Sequence, residues 1–324
     1  MTTTTTTETL ATDDRVIAFQ TVASGMSGRI VRLGPAVDEI LSKHDYPEPV
    51  SKVLGQALAL TAMLGSQLKF DGKLILQTNS SGPLGFLVVN YNTGGAIRGY
   101  ASFDREAIKA LEAAGPVNEA DLLGKGYLAM TIDPGGDMER YQGIVALDGD
   151  TLAEAALEYF RQSEQLPTFI KLSVARHYAA NPSAGGGKWH WRAGGIMVQH
   201  LTAQGGKSGP DGVDDSNLSY LAGTDDDNWN RVEILASTAQ DHELLDPTLT
   251  PDRLLFRLFH EEGVAVNAPQ PIVMRCGCSR DAVANMLHRF GKAELADMRD
   301  ASGHVLVTCE FCSTAYTFTD ADLE

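Results

Sequence analysis

The chain carries four cysteines, and all of them fall between positions 276 and 312, although any of the preceding 275 residues could have held one. Cys276-Gly277-Cys278 precedes the 30 residues 279–308, and Cys309-Glu310-Phe311-Cys312 follows them. Two close pairs separated by one folded segment can bring four sulfurs to a single point. The start of the chain, Met1 with Thr2 to Thr7 and Glu8, lacks the basic flank and apolar stretch of a secretory signal. A cytoplasmic setting is therefore expected, and there clustered thiols serve metals more often than structural disulfides. Four thiolates in a tetrahedron make a closed zinc site with no open position for substrate. Cys276, Cys278, Cys309 and Cys312 are accordingly the expected ligands of one Zn2+ per chain, with iron as the alternative for the same ligand set.

The residues around the cysteines suit a small domain over 271–324. Ser279 is a candidate N-cap, Val283, Met286, Leu287 and Phe290 share a helical face, and Gly291 is placed to stop that helix. Val305 to Thr308 reads as a strand delivering Cys309, and Tyr316 with Phe318 begins another. So short a segment has little core, and bound zinc, worth about 10–16 kcal/mol in small fingers, is expected to decide whether it folds. Structural knuckles place two or more residues between paired cysteines, whereas only Gly277 separates Cys276 from Cys278. A disulfide there closes a small strained ring of the labile, regulatory class. Each disulfide formed removes two thiolate ligands, so oxidation would eject the metal and unfold the domain. The spacing favours a switch over an inert knuckle.

Upstream, residues 14–228 alternate strand-like and helix-like runs and predict an α+β protein whose N-terminal domain is a mixed α/β sheet. Leu74–Thr78, Leu84–Tyr91, Ala96–Phe103, Tyr127–Ile132 and Gln142–Leu147 are short, rich in β-branched or aromatic residues, and bounded by turn residues. Pro49–Lys69 predicts a buried helix, too short and too interrupted to cross a bilayer. Thr151 with Glu154 forms a capping box ahead of an apolar face of Leu152, Ala155, Ala156, Tyr159 and Phe160. Residues 1–13 read as a disordered Thr-rich leader. Residues near 181–228 read as a Gly-rich insertion of solvated loops around one strand, and Gly206-Lys207-Ser208 lacks the earlier glycine that a phosphate loop requires.

Residues 229–270 predict a helical linker. One stripe comprises Trp229, Val232, Leu235, Ala236 and Ala239, another Leu254, Leu255, Leu258 and Phe259, with Thr250-Pro251 opening the second helix. Ten acidic and three basic side chains between Thr224 and Glu262 leave this segment at −7. It is expected to be either an ordinary helical subdomain or a conditionally docked linker.

Charge limits the partners. The whole chain carries 26 Lys plus Arg against 42 Asp plus Glu, a net of −16, and residues 276–324 hold four basic and eight acidic groups. Neither a nucleic-acid partner nor a membrane is expected. The eight histidines form no metal-binding spacing, and no nucleophile elbow or dinucleotide turn is present. No catalytic residue is assigned, and the chain is read as a binding protein rather than an enzyme. Two alternatives stand beside that reading: a thiol-disulfide oxidoreductase using Cys309 and Cys312, and a zinc-ribbon nucleic-acid module.

The sequence resembles the redox-regulated 33 kDa heat-shock chaperone family. The likeness runs through Leu54-Gly55-Gln56-Ala57-Leu58-Ala59-Leu60, Ile97-Arg98-Gly99-Tyr100-Ala101, Glu139-Arg140-Tyr141-Gln142-Gly143 and Tyr159-Phe160 with Ser163-Glu164-Gln165-Leu166-Pro167-Thr168. It continues through Ala193-Gly194-Gly195-Ile196-Met197, Leu258-Phe259-His260-Glu261-Glu262, and both cysteine motifs. The resemblance implies an ATP-independent holdase for unfolding client proteins under oxidative stress, inactive while reduced and zinc-bound. It further implies that oxidation pairs Cys276 with Cys278 and Cys309 with Cys312, releases zinc, unfolds switch and linker, and leads to a homodimer. The leader and the insertion look longer than is usual in the family, so no role passes to them.

Overall fold

A computed structural model describes residues 13–136, 138–181, 186–200 and 225–323. The expected leader, apart from Asp13, and most of the Gly-rich insertion lie outside the described residues. Strands are β1 (Arg15–Thr21), β2 (Ser27–Leu33), β3 (Lys73–Ser80), β4 (Phe86–Asn92), β5 (Ala96–Ser102), β6 (Lys125–Asp133), β7 (Tyr141–Asp148), β8 (Thr168–Asn181) and β9 (Gly186–Gln199). Three short ones follow, β10 (Val264–Val266), β11 (Gln270–Pro271) and β12 (Val273–Met274), and then β13 (Val305–Thr308) and β14 (Ala315–Phe318). The helices are α1 (Pro35–Ser42), α2 (Glu48–Gly65), α3 (Arg105–Ala114), α4 (Glu119–Leu123), α5 (Leu152–Tyr159), α6 (Asp225–Ser237), α7 (Asp241–Leu245), α8 (Pro251–Phe259), α9 (Arg280–Leu287) and α10 (Lys292–Asp297).

Two sheets enclose α2. One runs β10-β1-β2-β9-β8 with β11 also on β1, the other β12-β5-β4-β3-β6-β7, and only the β12–β5 pair is parallel. Leu54, Leu58, Ala59, Leu60 and Met63 of α2 are all buried, as a helix apolar on every side must be. It ends at Gly65 rather than at the expected Lys69, and the Tyr91 ring lies where a side chain at 65 would stand, so only glycine fits there. The capping box of Thr151 and Glu154 forms as read. Among the described residues, no helix is long and apolar enough to cross a membrane.

β1 and β2 are covered on both faces. Val16, Val31 and Leu33 join the core around α2, whereas Ile17, Phe19 and Ile30 join a second core with Ile196, Val198 and the helices α6 to α8. Both linker stripes are thus docked on the first sheet, with Val232, Ala236, Ala239, Leu254, Leu255, Leu258 and Phe259 fully buried. This packing is common to both linker expectations, an ordinary helical subdomain and a conditionally docked linker.

Buried arginines clamp the linker from the sheet side. Arg32 donates from Nε to Leu244 O at 3.1 Å, from Nη2 to Glu243 O at 2.9 Å, and from Nη1 to Leu249 O. Arg192 donates to Leu245 O at 2.6 Å and forms a bidentate pair with Asp13 at 2.7 and 2.8 Å. Asp13, expected at the end of the leader, is therefore a buried partner. After α8 the chain becomes extended and joins both sheets through β10, β11 and β12, the last of them already beyond the expected linker boundary at 270. Gly95, at φ +91°, lets it pass, since a Cβ there would stand 1.9 Å from Pro271 O.

Candidate metal centre

Backbone pairing delivers the first cysteine motif to a fixed point. β12 lies in parallel register on β5, Val273 opposite Ala96 and Met274 opposite Ile97, and Arg275 N donates to Ile97 O at 3.1 Å. Cys276 follows directly. Ser279 caps α9 by accepting from Ala282 N, which sets the chain direction just after Cys278. The α9 helix ends at Leu287, earlier than Gly291, which instead stands at the start of α10. Of its expected apolar face, Leu287 is buried while Met286 and Phe290 are 44% and 38% exposed. The second motif sits on the turn joining β13 to β14. Cys309 N donates to Thr314 O at 2.9 Å, Ser313 N donates to Cys309 O at 2.8 Å, and Ser313 adopts φ +56° to close the turn.

The four Sγ atoms lie within 4.8 Å of one another. Cys276 to Cys309 is 3.6 Å and Cys278 to Cys312 is 3.3 Å. A zinc–thiolate tetrahedron with bonds of about 2.3 Å has sulfur–sulfur edges of about 3.8 Å. Donor type, number and spacing all fit a tetrahedral metal ion. Every cysteine is a half-buried free thiol. The structure thus brings together all four residues expected as ligands, and no described histidine joins them.

Four thiols this close cannot all ionise without a cation to balance them. The Tyr316 hydroxyl donates to Cys278 Sγ at 3.3 Å and favours its thiolate, yet burial and the three neighbouring sulfurs prevail and push Cys278 up to about 12. Burial raises Cys309 as well. Cys312 goes the other way: against burial, its contacts with Thr314, Cys278 and Cys309 bring it down to about 6. One sulfur ionises readily while others resist, and a divalent cation is what lets all four act as thiolates.

The elements packed on the centre come from the N-terminal domain, and sequence reasoning assigned them no role. Arg98 Nη1 donates to Cys276 Sγ at 3.7 Å, and its guanidinium lies 4.1 Å from the centre of the Phe311 ring. Ser313 Oγ donates to Lys43 O at 3.0 Å and stands 3.5 Å from His44 Nδ1. The Glu310 carboxylate acting on the Tyr100 hydroxyl, with burial, raises that phenol above its ordinary range. The alternation of β5 signals that Arg98 and Tyr100 face away from buried Ile97 and Ala101. Nothing local signals that a cysteine 178 residues away would meet them.

Fold and site define an α+β protein in which a thiolate centre able to hold a metal ion is joined to a two-sheet domain through a docked helical linker. The chain belongs to the Hsp33 family: the family profile described as "Hsp33 protein" matches residues 14–319. A 33 kDa chaperonin of Caulobacter vibrioides is 41% identical over 94% of both chains. One of Pseudomonas paraeruginosa is 37% identical over 91% of this chain and 88% of its own. The crystal structure of the 33 kDa chaperonin (HSP33) of Thermotoga maritima superposes with a TM-score of 0.69 at 24% identity, covering 96% of each chain. That last likeness bears on the fold alone.

Proposed function

We propose that this chain is a redox-regulated, ATP-independent holdase of the bacterial cytoplasm that binds unfolding proteins when oxidants remove its metal. The observation that carries the reading is the four-sulfur cluster, which closes a domain too small to hold itself together and is tied to a linker covering one face of a sheet. The proposal divides the chain into a core at 14–228, a linker at 229–270 and a switch at 271–324. Cys276, Cys278, Cys309 and Cys312 are the ligands, and the metal is zinc, which crosslinks the two motifs when bound.

Oxidation proceeds on the sulfurs. For each pair, Cys276 with Cys278 and Cys309 with Cys312, two thiolates lose two electrons as one S–S bond forms. The O–O bond of one peroxide breaks, giving two hydroxide ions. The pairing follows the family resemblance alone, because the short separations, Cys276 to Cys309 at 3.6 Å and Cys278 to Cys312 at 3.3 Å, run between the motifs. No thiolate would then remain to hold Zn2+, and the switch would lose the crosslink that Cys276, Cys278, Cys309 and Cys312 supply around it. The linker next leaves the first sheet, exposing Ile17, Phe19, Ile30, Ile196 and Val198 together with its own stripes. Apolar surface bordered by a segment of net −7 binds unfolded chains while staying soluble, and the same surface supports dimer formation.

The test compares reduced protein with protein treated with peroxide under mild heat. Reduced protein is expected to hold one zinc per chain and leave a denatured client to aggregate. Treated protein is expected to have released the zinc and to suppress light scattering without ATP. Absence of suppression in the oxidised, zinc-free protein overturns the reading.

A further inference from the structure

The thiolate centre meets a cation that the switch does not own. In β5, Ile97, Gly99 and Ala101 point into the core, so Arg98 and Tyr100 face outward. The parallel register of β12 then sets Cys276 beside Arg98. The guanidinium makes two contacts there, its Nη1–H directed at Cys276 Sγ from 3.7 Å and its face on the Phe311 ring at 4.1 Å. Phe311 lies between Cys309 and Cys312, so one core side chain touches both cysteine motifs. Ser313 on Lys43 holds the same knuckle to the N-terminal domain.

We propose that Arg98 is a positioning residue of the core that restrains oxidation of the metal centre, so that the docked switch resists peroxide better than a free one. This rests on the reading of the four sulfurs as a zinc site. Four thiolates around a divalent ion carry a net charge of about −2, and attack on peroxide requires electron density at sulfur. An N–H donated to sulfur, backed by a full positive charge, withdraws that density, and sulfur nucleophilicity falls as the thiolate is stabilised. Arg98 also favours the centre over its metal-free form by offsetting part of the surplus negative charge. The threshold of the switch is then set partly by the surface on which it sits.

The experiment follows zinc release from the reduced full-length protein after addition of peroxide, using a metallochromic dye, in wild type and in Arg98→Ala, Arg98→Gln and Arg98→Lys. Loss of the charge in Ala and Gln is expected to speed release by about tenfold, the factor about 1.4 kcal/mol of lost interaction gives. Lys, which keeps the charge without the fork, is expected to recover most of the difference. Raising ionic strength is expected to speed wild type and leave Gln unchanged, because a half-exposed charge is screened. Gln serves as the reference if Ala loosens the fold, and a merely structural role would give neither rescue by Lys nor the loss of salt dependence. Release rates equal to wild type in Ala and Gln, or a Lys rate no slower than Ala, overturn the role of Arg98 while leaving the zinc site standing. Wild type that holds no zinc overturns both readings.

Discussion

Gly194 lies where linker and sheet pack tightly. A Cβ there would stand 2.4 Å from Leu244 O, and backbone on both sides leaves little room to yield. Gly194→Ala therefore overpacks the seam at a cost of about 1–3 kcal/mol, none of it at the cysteines. We expect the reduced protein to keep its zinc while its linker is cut faster by a protease and a client is bound without oxidant. Full zinc with no gain in cleavage would show that α7 accommodates the methyl group. Asp14 offers a pH test. Burial raises its carboxyl to about 6 despite hydrogen bonds from Gly34 N and Ala36 N. Because the folded value exceeds the unfolded one of about 3.9, its contribution to stability is fully present below the unfolded value and is lost as pH rises through about 6. The stability of wild type relative to Asp14→Asn should therefore increase as pH falls from 7 to 4 in denaturant melts, since only wild type can take up the proton. The four-cysteine cluster was legible at this scale because spacing alone marked it, but Arg32, Arg98 and Arg192 were not. Each is an arginine on a strand, which reads as a solvated position until a distant segment covers it.

The linker shows how far periodicity reaches. Both stripes were readable, with the Thr250 cap and Pro251 in place as expected, but no pattern in 229–270 names the surface that receives them. The receiving strands explain the gap. β1 and β2 are buried on both faces, so neither shows the half-buried alternation that points a strand at one packing surface. β10 to β12 are only two or three residues each, and such lengths take strand form from their neighbours rather than from propensity. The docking is testable at Phe259, which stacks on Phe19 with ring centres 5.5 Å apart and is fully buried. Phe259→Ala is expected to cost about 3–5 kcal/mol at that seam and to raise hydrogen exchange across residues 251–259 in the reduced state. Exchange as slow as in wild type would mean that the clamp of Arg32 and Arg192 holds the linker without the aromatic stack.

Across the molecule, stability is divided unevenly. The core around α2 is large and continuous, and the second core binds the linker to it, whereas the switch has Leu287, Leu295, Val305 and Phe318 as its buried apolar residues among those described. At about 1.5–3 kcal/mol per buried side chain, that third core is small for the chain it must order. Its other ties are polar, chiefly Arg280 on Thr317 O at 2.7 Å, on Asp322 at 2.9 Å and over the Phe318 ring. Chelation should therefore melt the protein in parts. With a strong zinc chelator under reducing conditions, residues 276–323 are expected to become protease-sensitive and to lose their helical circular dichroism, while the two sheets keep one cooperative melt at higher temperature. Restoring zinc should restore the switch, because no covalent change has occurred. Chelation without oxidant also separates folding from redox chemistry. If metal removal alone exposes the linker, the disulfides serve to make the open state last; if the linker stays protected until peroxide is added, the trigger lies in the new S–S bonds. The ties from Lys43 and Arg98 to the second knuckle place the boundary of the melting unit at the β5 edge, and cleavage should therefore begin beyond Met274.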